Sequence, residues 1–202
     1  MVFLDHYFTD NRNLEENRKD HSFRFSGHLF TFTTDKGVFS KTDIDRGTQV
    51  FLEVLSHEDL SGKLLDLGCG YGVLGIVLKY VFPKLQIQLT DINPRAVELT
   101  NLNCQKNQIE GVAYESNGFE NVKDTFDIIV TNPPIRAGKT VIYKMFEDAS
   151  GYLAENGILY VVIRKKQGAE SAVKKLIEVF DNCEVVEKNK GYWVLKSHKN
   201  SN

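Results

Sequence analysis

Apolar residues in this chain come in short runs, punctuated by turns of glycine, proline and asparagine, and the runs alternate between two periods. Residues 1–26 are rich in Asn, Glu, Arg and Asp and read as a loosely ordered lead-in. Leu29 to Thr33 alternates aromatic and threonine positions, a strand pattern. Asp35-Lys36-Gly37 reads as a turn, Val38-Phe39 as a short return strand, and Ser40 to Asp45 as a polar loop. Val50, Phe51, Val54 and Leu55 then share one face of a helix starting at Arg46. Lys63 to Leu67 is a short apolar run that ends in a glycine-rich turn, and the turn opens an apolar helix stopped by Pro83.

The same rhythm repeats downstream. Leu85 to Thr90 is a strand ending at Asp91. Asn93 offers an N-cap with Pro94 at the first helical position, predicting a helix to about Asn107. Gly111 to Glu115 is a third strand and Phe126 to Val130 a buried fourth. Ile142, Met145, Phe146, Ala149, Tyr152 and Leu153 keep a 3.6-residue period, with Asn156-Gly157 closing that helix. Ile158 to Ile163 is a fifth strand, and Ala172, Val173, Leu176, Ile177 and Phe180 mark a last helix. Cys183 to Val186 and Tyr192 to Leu195 are separated by too few residues for a crossover helix, so they pair as an antiparallel hairpin. The expected fold is α/β: a doubly wound seven-stranded sheet, mostly parallel, with an antiparallel C-terminal hairpin. A small N-terminal β-hairpin and helix (residues 1–56) caps the main domain (residues 57–202) as one structural unit.

Composition narrows the field. At 202 residues, 42% hydrophobic and 26% charged, the chain suits one soluble domain. No apolar run is long enough for a bilayer, and the first residues lack a basic n-region, so neither membrane nor signal peptide is expected. Cys69, Cys104 and Cys183 are odd in number and widely spaced, which fits a reducing cytoplasm, and no Cys or His spacing suggests a metal. The net charge of −2 argues against a general nucleic-acid coat. From Thr131 onward, however, twelve basic residues face eight acidic ones, which allows a local basic face.

Gly70-Tyr71-Gly72-Val73-Leu74-Gly75 matches the dinucleotide fingerprint, with Asp91 about 20 residues on. Three features turn the reading away from NAD. Asp66 adds a second carboxylate that would repel a pyrophosphate and suit an ammonium or sulfonium. The terminal hairpin is foreign to dinucleotide domains, and the Asn132-Pro133-Pro134 turn has no part in hydride transfer.

Asp66-Leu67-Gly68-Cys69-Gly70-Tyr71-Gly72 resembles the first motif of class I S-adenosylmethionine-dependent methyltransferases, whose Rossmann-like sheet ends in the same reversed hairpin. Over roughly Leu29 to Lys196 the chain is more narrowly similar to ribosomal RNA guanine-N2 methyltransferases of the small-subunit type. Gly37-Val38-Phe39-Ser40 with Asp45-Arg46-Gly47-Thr48, Ser116-Asn117-Gly118-Phe119, and Asn132-Pro133-Pro134-Ile135-Arg136-Ala137-Gly138-Lys139 carry that likeness.

The resemblance implies S-adenosylmethionine held by Phe39, Asp66, Gly68, Cys69, Gly70, Gly72, Asp91, Ile92, Asn117, Gly118 and Asn132. Asp91 would accept from the ribose hydroxyls, Ile92 would pack on the adenine, and Cys69 would be a small filler. Asn132, Pro133, Pro134 and Ile135 would be the catalytic turn. The Asn132 side-chain oxygen and the Pro133 carbonyl would accept both hydrogens of an aromatic amine and aim its lone pair at the methyl group. Two-domain members carry an aromatic residue where this chain has Ile135, which leaves Phe39 or Phe119 to supply a ring. Arg136, Lys139, Arg164, Lys165 and Lys166 are the candidate phosphate contacts. The expected activity is N-methylation of an exocyclic amine, guanine N2 of ribosomal RNA first, on naked RNA or a ribosomal particle. The rivals are adenine N6, a protein glutamine or a small molecule, or a non-catalytic domain binding S-adenosylmethionine or NAD.

Overall fold

The computed structural model describes residues 17–35, 38 and 44–200. Strands β1 (Lys19–Phe25) and β2 (His28–Thr34) form an antiparallel hairpin. The end of the polar lead-in is therefore a strand. His21, Phe23 and Phe25 are half-buried while the residues between them are exposed. Ser26 and Gly27 link the strands with φ of 46° and 77°, the pair of positive values that a two-residue turn matching strand twist requires. Leu29–Thr33 thus pairs with the strand that precedes it. Val38 sits in a bend, its N–H 3.4 Å from the Asp35 carbonyl, and Phe39 lies outside the described residues.

Helix α1 (Arg46–Leu55) leads to β3 (Lys63–Leu67), α2 (Val73–Val81), β4 (Gln86–Asp91), α3 (Pro94–Lys106) and β5 (Val112–Glu115). Then come β6 (Phe126–Thr131), α4 (Lys139–Tyr152), β7 (Leu153–Arg164), α5 (Ala169–Phe180), β8 (Glu184–Asn189) and β9 (Tyr192–His198). Seven strands make one sheet in the order β5-β4-β3-β6-β7-β9-β8. The first five in that order are parallel, and β9 runs antiparallel to both β7 and β8. Asn156-Gly157 does not end a helix as the sequence suggests. α4 stops earlier, and β7 starts at Leu153, pairs with Phe126, and resumes at Ile158 opposite Ile128 after an irregularity around Asn156 (φ 61°).

The period-2 alternation of the strands divides the core into two layers. Leu64, Leu89, Ile128, Val130 and Val162 face α1, α2 and α3. Leu65, Leu67, Ile129, Val161 and Ile163 face α4 and α5. α1 is a full member of its layer, with Phe51, Leu52 and Leu55 completely buried. Behind it, Glu58 accepts from the Tyr160 hydroxyl and from Lys196 Nζ, both at 2.6 Å, which ties the segment after α1 to β7 and β9.

Along the outer edge of β2, the backbone of Thr31 and Thr33 is covered by side chains of α3 and its C-cap. Asn107 exchanges hydrogen bonds with both backbone groups of Thr31 (3.0 and 2.9 Å), and Asn103 with both of Thr33 (2.7 and 3.0 Å). The match is metric: two strand residues advance about 6.7 Å and four helix residues about 6 Å. Asn103 also donates to the Tyr71 carbonyl at 2.8 Å and so couples the hairpin to the glycine turn.

Candidate active site

β3 ends where its apolar run meets Gly68-Cys69-Gly70-Tyr71-Gly72. The N–H groups of Gly68 and Cys69 both donate to the Thr90 carbonyl (2.8 and 2.9 Å), which folds the turn back over β4. Gly68 and Gly70 have φ of +75° and +59°, and a β-carbon on either would meet nothing within 4 Å. Their α-carbons border open space, as a close ligand approach requires. Gly72 (φ +90°) and Gly75 serve packing instead. A β-carbon there would come 2.7 Å from Thr100 Cγ2 and 2.6 Å from Leu89 Cδ2 respectively. The N-cap position of α2 is Gly72, which has no side chain to cap the helix, and of the first-turn N–H groups that of Gly75 is taken by Asp66.

Asp66, 2% exposed, accepts from Gly75 N–H at 2.9 Å. Burial, reinforced by the charge of Asp91, pushes its carboxyl up to about 7 against the pull of that hydrogen bond. Asp91 is also buried. It accepts from Gly70 N–H and Asn93 N–H, both at 2.9 Å, and burial raises its carboxyl in spite of those bonds. Burial and then the two carboxylates push the half-buried Cys69 thiol up, beside the Thr100 hydroxyl.

β6, the neighbour of β3, ends at Thr131, whose hydroxyl donates to the Leu67 carbonyl at 2.8 Å. This bond fastens the Asn132-Pro133-Pro134 corner beside the first glycine. Pro133 is buried. The Pro134 carbonyl accepts from Ala137 N–H at 2.8 Å and starts the 3-10 turn Ile135–Ala137. Asn132 Nδ2 donates to Asp45 Oδ2 and to Thr48 Oγ1, both at 3.1 Å.

The resulting cleft is lined by Ile44, Asp45 and Thr48 at the start of α1, by Asp66, Gly68, Cys69, Gly70 and Tyr71, by Val73 and Leu74 of α2, and by Asn132. Its enclosed volume is about 60 Å³, and it opens to solvent.

Of the residues expected from sequence, Asp66, Gly68, Cys69, Gly70 and Asn132 meet in the cleft. Asp91 braces it from behind Gly70. Ile92, Asn117 and Gly118 do not line it, and Asn117 is exposed and donates to Glu120. The Phe119 ring is 4% exposed and stacks on Tyr152 at 4.6 Å, so it is not free to meet a ligand. Asp45 and Thr48 stand beyond the candidates named from sequence. Their signs in the sequence are the Asp-x-x-Thr spacing of a helix start and their place in the Asp45-Arg46-Gly47-Thr48 stretch that carries the family likeness; their contact with Asn132 crosses 87 and 84 positions.

Arg136, Lys139, Arg164, Lys165 and Lys166 are exposed and follow the carboxyl ends of β6 and β7. Lys139 reaches toward Gly168, just after the turn that holds Lys165 and Lys166, and the Arg164 guanidinium lies 6.0 Å from the Tyr192 ring centre. Among the described residues none of the five pairs with a carboxylate. No described helix is long and apolar enough to cross a membrane, and the described residues hold no cluster of three metal-ligating side chains.

Residues 29–196 match the family model described as the methyltransferase small domain. The uncharacterized protein YbxB of Bacillus subtilis is 44% identical over 198 residues, 96% of this chain and 98% of that one. Ribosomal RNA small subunit methyltransferase C of Psychromonas ingrahamii is 32% identical over 163 residues, 79% of this chain but 46% of its own length. A solved Thermus thermophilus structure, the 16S rRNA N2 G1207 methyltransferase in complex with AdoMet and guanosine, superposes with a TM-score of 0.84 at 26% identity. It covers 93% of this chain and 52% of that one. The chain therefore spans about half the length of these ribosomal RNA methyltransferases.

Proposed function

Because the chain belongs to the methyltransferase small domain family, we propose that its cleft takes S-adenosylmethionine and that the Asn132 corner receives an exocyclic amine, guanine N2 of ribosomal RNA. When bound, S-adenosylmethionine supplies an electrophilic methyl group on a sulfonium. The residues fit such a donor. Gly68 and Gly70 leave room along the backbone, and Asp66 provides a negative charge that favours a cation. Asp91 retains lone pairs beyond the two amides it holds, enough for ribose hydroxyls.

The observation that carries the acceptor reading is the seat of Asn132-Pro133-Pro134. It ends the strand beside β3, and Thr131 fixes it to the residue before the first glycine. An aromatic amine is a weak nucleophile because its lone pair is delocalised. An Asn132 oxygen and a Pro133 carbonyl that accept its two hydrogens draw the nitrogen toward a tetrahedral shape and orient it for in-line attack. Rate enhancement then comes from positioning. The two prolines stiffen the corner, and the extra proton leaves easily once the nitrogen carries the methyl group.

RNA as the substrate is supported by the exposed basic residues at the carboxyl ends of β6 and β7, none of which pairs with a carboxylate among the described residues, and by the relatives. A base inside a duplex could not reach the corner, so the target is unpaired or flipped out. This reading places the protein in the cytoplasm, acting on ribosomal RNA or a ribosomal particle. Mass mapping of ribosomal RNA from cells with and without the gene tests it. The expected result is the loss of one N2-methylguanosine; identical maps would refute the RNA assignment and direct attention to a protein or small-molecule amine.

A second test uses Asp66. Its carboxyl, raised to about 7, is protonated in the free protein at lower pH and charged above. A sulfonium ligand prefers the anion, so binding below pH 7 expels a proton, and affinity rises with pH by at most about tenfold per unit before levelling off. Calorimetric titration across that window should show this rise, and Asp66→Asn should flatten it. A pH-independent affinity in the parent protein would sink the role of Asp66.

A further inference from the structure

We infer that Asp45 and Thr48 are positioning residues that lock the Asn132 amide with its oxygen turned into the cleft. This rests on the reading of Asn132 as the acceptor of the amine hydrogens and adds what makes that acceptor reliable. An asparagine amide is nearly symmetric in shape, and a half-turn about its last bond exchanges oxygen for NH2. The flipped form would point donors at a donor and repel the substrate amine.

Two partners forbid the flip. The Asp45 carboxylate can only accept, so the Asn132 atom 3.1 Å from Oδ2 must be the nitrogen. The second amide hydrogen goes to Thr48 Oγ1 at 3.1 Å. The nitrogen is then saturated, and among the described residues no donor occupies the oxygen. Asp45 is itself immobilised. The same Oδ2 caps α1 through Thr48 N–H at 3.1 Å, and a β-carbon on Gly47 would meet Oδ2 at 2.8 Å and the Tyr192 ring at 2.9 Å. Helix α1 thus holds a switchable side chain in one of its two states, from a stretch of sequence far from the catalytic corner.

The test is a cycle of variants assayed for methyl transfer to small ribosomal subunits from cells lacking the gene. Asp45→Ser keeps a helix cap but is too short to reach Asn132, and Thr48→Val removes the other acceptor at constant shape. The pair of changes should lower kcat about tenfold or more, with KM and S-adenosylmethionine affinity within about twofold. Asp45→Asn, which restores an acceptor, should recover most of the loss. In an Asn132→Ala background the same pair should change kcat less than about twofold, because the residues act through the missing amide.

Equal losses in both backgrounds, or no loss in the parent, would overturn the positioning role while leaving Asn132 in place. A parent-like rate for Asn132→Ala alone would instead remove the acceptor reading and this inference with it. Independently of turnover, the Asn132 side-chain amide protons should exchange with solvent slowly in the parent protein and much faster in the double variant; equal exchange rates would refute the lock.

Discussion

Replacing Asn132 with alanine will lower kcat for methyl transfer by about 100-fold or more while changing S-adenosylmethionine affinity no more than a few-fold. The asymmetry follows from where the side chain sits. The donor side of the cleft is built from backbone of the glycine turn, Asp66 and Asp91. All of these keep their partners in the variant, because among the described residues the Asn132 side chain bonds to Asp45 and Thr48 and to none of them. What is lost is the group that orients the amine, so the deficit appears in the chemical step. Single-turnover assays at saturating donor, together with calorimetry, separate the two. Weakened donor binding with an unaltered chemical step would show that the side chain serves the cofactor.

The second large effect concerns stability. Arg95, 8% exposed, faces the fully buried Asp35 side chain at 3.5 Å. A positive charge in the first turn of α3 opposes the helix dipole, and burial weakens the help of water, so a facing carboxylate offsets part of that cost. Asp35→Ala removes the carboxylate that faces Arg95 at 3.5 Å and accepts from Asn17 N–H at 2.7 Å, and should destabilise the protein by about 1–3 kcal/mol. Replacing both residues with apolar ones of similar volume should cost much less, because the desolvation of two charges is then no longer required. Urea denaturation at constant slope checks both. Equal losses for the single and double variants would mean that the pair itself stabilises the fold.

Much of the architecture is legible in the order of residues because buried parallel strands leave unmistakable apolar runs. Leu64-Leu65 and Ile128-Ile129-Val130 declare themselves, and Asn93-Pro94 marks its helix start to the residue. What escapes is structure stabilised from a distance. β1 is half polar and buries only alternate residues against a single partner strand, so composition disguises it. The Asn156-Gly157 irregularity looks like a terminator, since nothing local reveals that Leu153 already pairs with Phe126. The glycine turn and the Asn-Pro-Pro corner are equally plain because each is contiguous. Their convergence was inferable only from the strand order. Asp45 and Thr48 escaped because a helix cap and an amide clamp look alike until the chain is folded. Gly72 was grouped with Gly68 and Gly70 by spacing, yet its surroundings make it a packing residue.

The asparagine ladder along β2 has a consequence for how the molecule behaves in a crowded solution. A strand that stops at a sheet boundary is a template on which a second molecule can continue, since every other N–H and C=O points outward. Asn103 and Asn107 each offer one donor and one acceptor at strand spacing. They imitate the neighbour that such a border would otherwise recruit. The helix and its C-cap thereby occupy the backbone groups of Thr31 and Thr33 that an incoming strand would need.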